Sequence, residues 1–227
     1  MKIYLDNGST TKVDKEVVKA MIPYMTKEYG NASSLHSLGQ KAKEILENSR
    51  KTIAKYINAE PEEIIFTSGG TESDNIAIKG VVEYFKSVIK SDEDKHPKEK
   101  IHIITSKIEH PAVLNVCKQL ERENVEVTYL DVDSEGMIFL EKLKAAIKPN
   151  TKLISIMHVN NEIGIIQPIE EIGRIAKEKN IIFHTDAVQS LTKLKIDVKS
   201  FNVDLMSFSA HKIHGPKGIG FLYMRKG

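Results

Sequence analysis

The chain contains one cysteine, Cys117, and no tryptophan. A lone cysteine cannot close an intrachain disulfide, so a disulfide scaffold is excluded and a reducing cytosol is the expected setting. No apolar run approaches the roughly 18 residues that a membrane-crossing helix needs. The opening MKIYLDNGSTT turns polar too early to read as a signal peptide. Charge of one sign is also missing: 33 Lys and Arg stand against 31 Asp and Glu, a net of +2. That balance gives no electrostatic reason to expect a nucleic acid or membrane partner. Internal repeats and low-complexity tracts are absent too. What remains is an ordinary globular composition, 41% apolar over 227 residues, enough to bury a large core.

Short apolar runs alternate with amphipathic stretches. The runs at 63–68, 101–106, 125–130, 152–159, 181–187, 203–209 and 219–225 predict strands. The stretches at 14–29, 39–57, 71–90, 110–122, 139–148 and 168–179 predict helices, with Asp14 and Ser73 as early-helix or capping residues. Pro111 and Pro168 suit first helical turns. The polar run SDEDKHPKEK, 91–100, reads as a solvated loop. Several strands are apolar throughout, which implies burial on both faces. The pattern predicts an α/β fold: a three-layer sandwich around a mostly parallel seven-stranded sheet. The link GPKGIG is too short for a crossover helix, so one strand should run antiparallel. In such sheets ligands collect at the carboxyl ends of the strands.

Those ends are where the unusual residues fall. TSGGTESDN follows the first strand and runs into a helix, so Gly70, Thr71 and Glu72 sit where free N–H groups and the helix dipole attract an anion. The same stretch could be a plain capped turn, and it is neither a Walker loop nor GxGxxG. His110 opens the next helix, either as a structural residue or as a ring for stacking or proton transfer. Asn160 and Asn161 follow the fourth strand, where turn formation and ligand contact are both open. Asp186 ends the fifth strand with Gln189 just beyond, and a carboxylate there caps a helix or faces a cation. Ser209, His211 and Lys212 follow the sixth strand. A lysine at a buried strand end loses its proton readily and becomes a nucleophile for carbonyls, although a lone lysine more often snorkels to solvent. Together, an anion cradle, a histidine, an acid and a lysine at one sheet edge match the needs of pyridoxal phosphate. That cofactor requires an amine for its aldehyde, an acid for its ring nitrogen and donors for its phosphate. His211 and His214 lack a clear third partner, so no metal site is expected.

The segments YLDNGSTT, FTSGGTESDNIAIKG, TSKIEHPAVLN, SIMHVNNEIGIIQPI, FHTDAVQS and VDLMSFSAHKIHGPKGIGFLY closely resemble the cysteine desulfurases, fold-type-I pyridoxal phosphate enzymes of the class V aminotransferase superfamily. The resemblance implies a large domain over 15–227 behind an N-terminal segment, 1–14, with the family's C-terminal small domain missing. It makes Lys212 the lysine bonded to the cofactor and His110 the ring stacked on it, both with catalytic roles. Asp186 becomes the partner of the ring nitrogen, Gln189 the donor to the phenolic oxygen, and Gly70, Thr71, Ser209 and His211 the phosphate cradle. Asn161 would face cofactor and substrate carboxylate. The implied activity converts L-cysteine to L-alanine and passes sulfur to an enzyme cysteine as a persulfide, for iron–sulfur cluster or thio-cofactor assembly. A homodimer and a sulfur-acceptor or iron–sulfur scaffold protein are the implied partners. Two small departures are NGSTT, where Asn-Ala-Ala-Thr-Thr is usual, and GNASS, which lacks the usual proline. The larger departure is that the family's persulfide cysteine, substrate-binding arginine and partner-donated threonine have no counterpart here. Cys117 cannot substitute, because Val113, Cys117 and Leu120 form a helical core stripe. The isolated chain is therefore expected to be inactive. A non-catalytic cofactor-binding fragment, a selenocysteine lyase and another class V aminotransferase are the alternatives.

Overall fold

A computed structural model describes residues 3–91 and 100–226. Of the polar stretch read as a solvated loop, residues 92–99 lie outside the described residues. The described chain forms the strands β1 (Ile64–Thr67), β2 (His102–Ser106), β3 (Glu126–Leu130), β4 (Thr151–Ser155), β5 (Ile182–Asp186), β6 (Leu205–Ser209) and β7 (Gly220–Met224). Its α-helices are α1 (Lys15–Thr26), α2 (Ser37–Ile57), α3 (Gly70–Ser91), α4 (Pro111–Arg122), α5 (Leu140–Ala146) and α6 (Ile169–Glu178). Each expected strand and helix has its counterpart.

All seven strands join one sheet in the order β1-β7-β6-β5-β4-β2-β3. β7 runs antiparallel to both of its neighbours and every other pairing is parallel, as the short GPKGIG link requires. Both faces are covered. Alternate residues of a strand point to opposite sides, and here they feed two cores. Ile104, Ile154, Phe183, Met206 and Phe208 pack with Ile57 of α2, Leu143 of α5 and Ile172 and Ile175 of α6. Ile103, Leu153, Leu205 and Leu222 pack with Ile78 and Val82 of α3 and Val113, Val116 and Leu120 of α4. Cys117 lies in this second core at 0% exposure, as its stripe predicts. Each such side chain contributes about 1.5–3 kcal/mol by leaving water. The result is the three-layer sandwich read from the sequence.

Local chemistry sets the element ends. Asp14 caps α1 by accepting the Glu16 N–H at 2.7 Å. Pro111 opens α4, while Pro168 sits one residue before α6 as its cap rather than inside its first turn. Ser73 is an early-helix residue and not a cap: its hydroxyl donates back to the Gly69 carbonyl at 3.1 Å. β4 ends at Ser155, short of the expected 159. The reason is that the Met157 N–H leaves the sheet ladder and donates to the Glu109 carboxylate, 3.0 Å from each oxygen.

From β2 the chain first builds β3 on one side, then returns to place β4 on the other and continues through β5 and β6. That reversal opens a crevice outside the carboxyl ends of the strands. Two helical glycines give a test of the packing around it. A Cβ on Gly173 of α6 would lie 1.9 Å from the Phe201 carbonyl oxygen, whereas one on Gly80 of α3 would meet nothing within 4 Å. Gly173→Ala should lower stability by at least about 1–3 kcal/mol. Gly80→Ala should raise it by up to about 1 kcal/mol through helix propensity alone. Urea unfolding midpoints of the two variants check both signs.

Candidate active site

The crevice holds an open cleft of about 260 Å3. The end of β1 and the start of α3 bring Gly70 and Thr71 to it. The turn before α4 brings His110, and the loop after β4 brings Asn161. Asp186 and Gln189 come from the end of β5, and Ser209, His211 and Lys212 from the end of β6. Nine of the residues singled out in the sequence thus line one cleft, though they span more than 140 positions of chain.

Lys212 sits half-buried in the short 3-10 turn that follows β6. Burial lowers its pKa from the usual lysine value, with Lys193 nearby acting in the same direction and Asp186 and Asp6 opposing. Its Nζ donates to the Gly8 carbonyl. The Gln189 amide also donates to that oxygen, at 2.8 Å, while its own carbonyl accepts from Lys193 at 3.0 Å. Asp186 is buried, and desolvation pushes its carboxyl up to about 7. Its Oδ1 accepts the Val188 N–H at 2.9 Å, so the turn-capping reading holds for one oxygen while the residue also walls the cleft. His110 has two engagements at once. Its Nδ1 caps α4 by accepting the Ala112 N–H at 3.1 Å, and its ring borders the cleft.

The asparagine pair divides its labour. Asn160 is the turn-former: its Oδ1 accepts the N–H groups of Glu162 and Ile163, and its amide donates to the Ile108 carbonyl. Asn161 alone reaches the cleft. The anion cradle is backbone-built at Gly70, where a Cβ would lie 2.6 Å from Val188 Cγ2. Glu72, grouped with it in the sequence, does not line this cleft and accepts the Ser68 N–H. The two histidines considered as metal ligands are engaged separately, His211 Nδ1 with Thr10 Oγ1 and His214 Nδ1 with the Lys12 carbonyl, both at 3.1 Å.

Three features escaped the sequence. The N-terminal segment crosses the site: Thr11 N–H and hydroxyl both reach the His211 carbonyl at 2.8 Å, and Asp14 N–H reaches the His214 carbonyl at 2.9 Å. Ser9 joins the cleft wall as a result. Glu109, buried beside His110, holds Ser106 Oγ at 2.6 Å, and burial pushes its carboxyl up to about 8. Asp74, one turn into α3, is buried against the same cleft. Its spacing from Gly70, i and i+4 on one helix face, was the available signal.

The family model for class-V aminotransferases matches residues 3–227. The cysteine desulfurase IscS of Glaesserella parasuis serovar 5 (strain SH0165) is 53% identical over 227 residues, 99% of this chain and 53% of its own. That of Methanosarcina thermophila is 54% identical over 225 residues, with coverage of 99% and 53%. Among solved structures, a NifS-like protein superposes with a TM-score of 0.93 at 44% identity, covering 100% of this chain and 60% of that one. SspA in complex with cysteine gives 0.92 at 46% identity, covering 99% and 62%. The chain spans about half the length of the curated relatives it matches. Fold, strand-end site and sequence agree, and the chain belongs to the class-V aminotransferase family, among relatives named cysteine desulfurases.

Proposed function

We propose that this chain is the cofactor-binding portion of a pyridoxal phosphate-dependent cysteine desulfurase. The reading rests on one observation above the others: a half-buried lysine of lowered pKa and a buried acid wall the same cleft as Gly70, Thr71, Ser209 and His211 at the start of α3 and the end of β6. The residues fit the cofactor. Gly70, Thr71, Ser209 and His211 hold its phosphate, with the start of α3 behind them. Asp186 keeps one oxygen for the ring nitrogen beyond its bond to Val188. Gln189 has a second amide hydrogen, past the one given to Gly8, for the phenolic oxygen. His110 is fixed by its cap bond with Nε2 left to bear the proton, and serves as ring stack and proton carrier. Asn161 meets the substrate carboxylate. When bound, the cofactor supplies an electron sink for carbanionic chemistry at the amino acid.

The lysine's part follows from its surroundings. Partial burial and the positive charge of Lys193 favour the neutral amine, which is the nucleophilic form. The same amine, once freed, is placed to move a proton. The substrate is L-cysteine, in keeping with the relatives' name and with the cysteine complex of SspA. The overall reaction takes cysteine and an acceptor thiol to alanine and a persulfide. Cys117 is not that thiol: it is wholly buried, and desolvation pushes it up to about 12. The single buried cysteine also agrees with a reducing cytosol. A homodimer, delivery of sulfur to an acceptor or iron–sulfur scaffold protein, and the division into a 1–14 segment and a 15–227 domain complete the reading.

Two measurements test it. Adding pyridoxal phosphate should give a visible absorbance band, and borohydride reduction should fix the label on the peptide carrying Lys212; Lys212→Ala should lose both while retaining its helical signal. Alanine release from L-cysteine by this chain alone should stay at background, since its one thiol is sealed. Asp186→Ala should weaken cofactor affinity at least about tenfold, or about 1.4 kcal/mol, read by equilibrium titration of the same band. A label found on another lysine would overturn the assignment.

A further inference from the structure

Gln189 is buried, and both ends of its amide are engaged. Its nitrogen donates to the Gly8 carbonyl at 2.8 Å, and its oxygen accepts from Lys193 Nζ at 3.0 Å. The partners fix the sense of the amide. A lysine ammonium can only donate and a backbone carbonyl can only accept, so the oxygen faces Lys193 and the nitrogen faces Gly8. Reversing the amide would set oxygen against oxygen at Gly8 and N–H against N–H at Lys193. Lys212 Nζ donates to the same Gly8 carbonyl. A continuous run of hydrogen bonds therefore joins the two lysines, with one amide and one carbonyl between them.

Lys193 is exposed and lies outside the cleft wall, in a hollow of its own with Tyr56, Thr192 and Lys195. Such a lysine ordinarily extends into water or meets a carboxylate. No carboxylate pairs with it among the described residues, and its ammonium goes instead to the Gln189 amide. A charged donor makes that bond stronger than a neutral one would. The backbone is bent to place it. Thr192 has a φ of 64°, in the left-handed region that a β-branched residue adopts only at a cost. The N–H groups of Lys193 and Leu194 both donate to the Ser190 carbonyl, at 3.0 and 2.9 Å, and hold the turn closed around that residue. Strain kept in place by its surroundings points to a role for what it positions. Here the next residue is Lys193.

The charged and titratable groups around the Lys212 amine are Asp186 from the end of β5, Asp6 from the N-terminal segment, His211 in its own turn, and His110 and Asp74 lining the same cleft. Lys195 is the other charge beside Lys193. Burial lowers the pKa of both lysines, and Lys212 alone is lowered further by the other, so Lys193 is the one that keeps its proton.

We propose that Lys193 is a positioning residue of the cleft: its donation to Gln189 Oε1 holds that amide nitrogen on the Gly8 carbonyl that Lys212 also uses, so one ammonium outside the cleft sets both the donor offered within it and the surroundings of the Lys212 amine. Lys193 acts through Gln189 and touches no reacting atom. For the cofactor role the inference rests on the function proposed above, since Gln189 is there the donor to the phenolic oxygen. The hydrogen-bond run itself belongs to the cofactor-free protein and can be read there.

The test is Lys193→Met, which keeps the apolar stem and removes the ammonium. In the cofactor-free chain, nitrogen-15 NMR should show the Gln189 side-chain amide hydrogens exchanging with water at least about tenfold faster than in wild type. The Lys212 midpoint, read by mass spectrometry from the pH dependence of its acetylation, should rise by about half a pH unit or more, about a threefold change in proton affinity. Lys193→Arg should restore both, because it keeps the charge and the donor. Affinity for pyridoxal phosphate should follow the same order, falling at least about fivefold in Lys193→Met and recovering in Lys193→Arg. A stem with a merely structural role would be replaced well by methionine, so wild-type amide exchange or a wild-type Lys212 midpoint in Lys193→Met overturns the proposal. Should that variant not fold, the Lys193 ammonium of the wild-type chain decides. A slowly exchanging nitrogen-15 signal at neutral pH supports the hydrogen bond, and rapid exchange with water overturns it. Failure of the chain to bind pyridoxal phosphate would remove the functional reading and leave the amide exchange and the Lys212 midpoint to decide the rest.

Discussion

Covering a sheet on both faces leaves its polar side chains one outlet, the carboxyl ends of the strands. The other constraints of this molecule descend from that one. Ile103 and Ile104, Leu153 and Ile154, and Leu205 and Met206 fill cores on opposite sides. Every residue of β2 and β6 is buried, so those strands keep no water-facing side. Asp186 ends its strand at the edge of this apolar mass, so its charge is expensive unless donors and cations meet it. The Val188 N–H and the field of the His110 ring go part of the way to meeting that requirement. The site proposed for a flat cationic ring rests on the placement of a carboxyl where the fold can least tolerate its charge alone.

The N-terminal segment has a different kind of role. It adds little to the cores, and α1 behind it carries no buried residue. It is held instead by backbone hydrogen bonds to the turn that bears His211 and Lys212. Through the Gly8 carbonyl it joins Lys212 to Gln189, two residues that come from different strand ends. Gly8 fits closely there, since a Cβ would lie 3.2 Å from the Asn161 carbonyl. This strap therefore orients the Lys212 amine within the cleft, which is the sense in which the proposed site is preorganised.

The fold was legible because apolar runs and amphipathic stretches have different periods and each kept its own. The antiparallel β7 could be read from the length of a single link. Site residues that follow strands were equally legible, since topology alone puts strand ends together. What escaped depended on long-range partners. Nothing in IMHVN signals that Met157 gives its N–H to Glu109, which is why β4 stops early. The pair Asn160 and Asn161 was ambiguous for the same reason: which one turns the chain depends on Ile108, fifty-two positions away. Asp74 looked like one more polar residue in a helix start until the sheet put Ser207 and His184 behind it.

His184 and Asp186 show how closely structure and chemistry are bound here. They stand two apart on β5 and so project from the same face. Each is buried, yet burial drives them in opposite directions: the imidazole loses its proton and the carboxyl tends to keep one. A neutral histidine can serve as a two-way hydrogen-bond connector, which a charged one cannot. The same desolvation that makes Asp186 costly thus supplies a neutral connector between Ser155 and Ser207 beneath the cleft. Replacing His184 by an apolar residue would keep the sheet packed but leave Ser155 and Ser207 without their shared partner, so the histidine belongs to the electrostatics of the cleft as much as to its core.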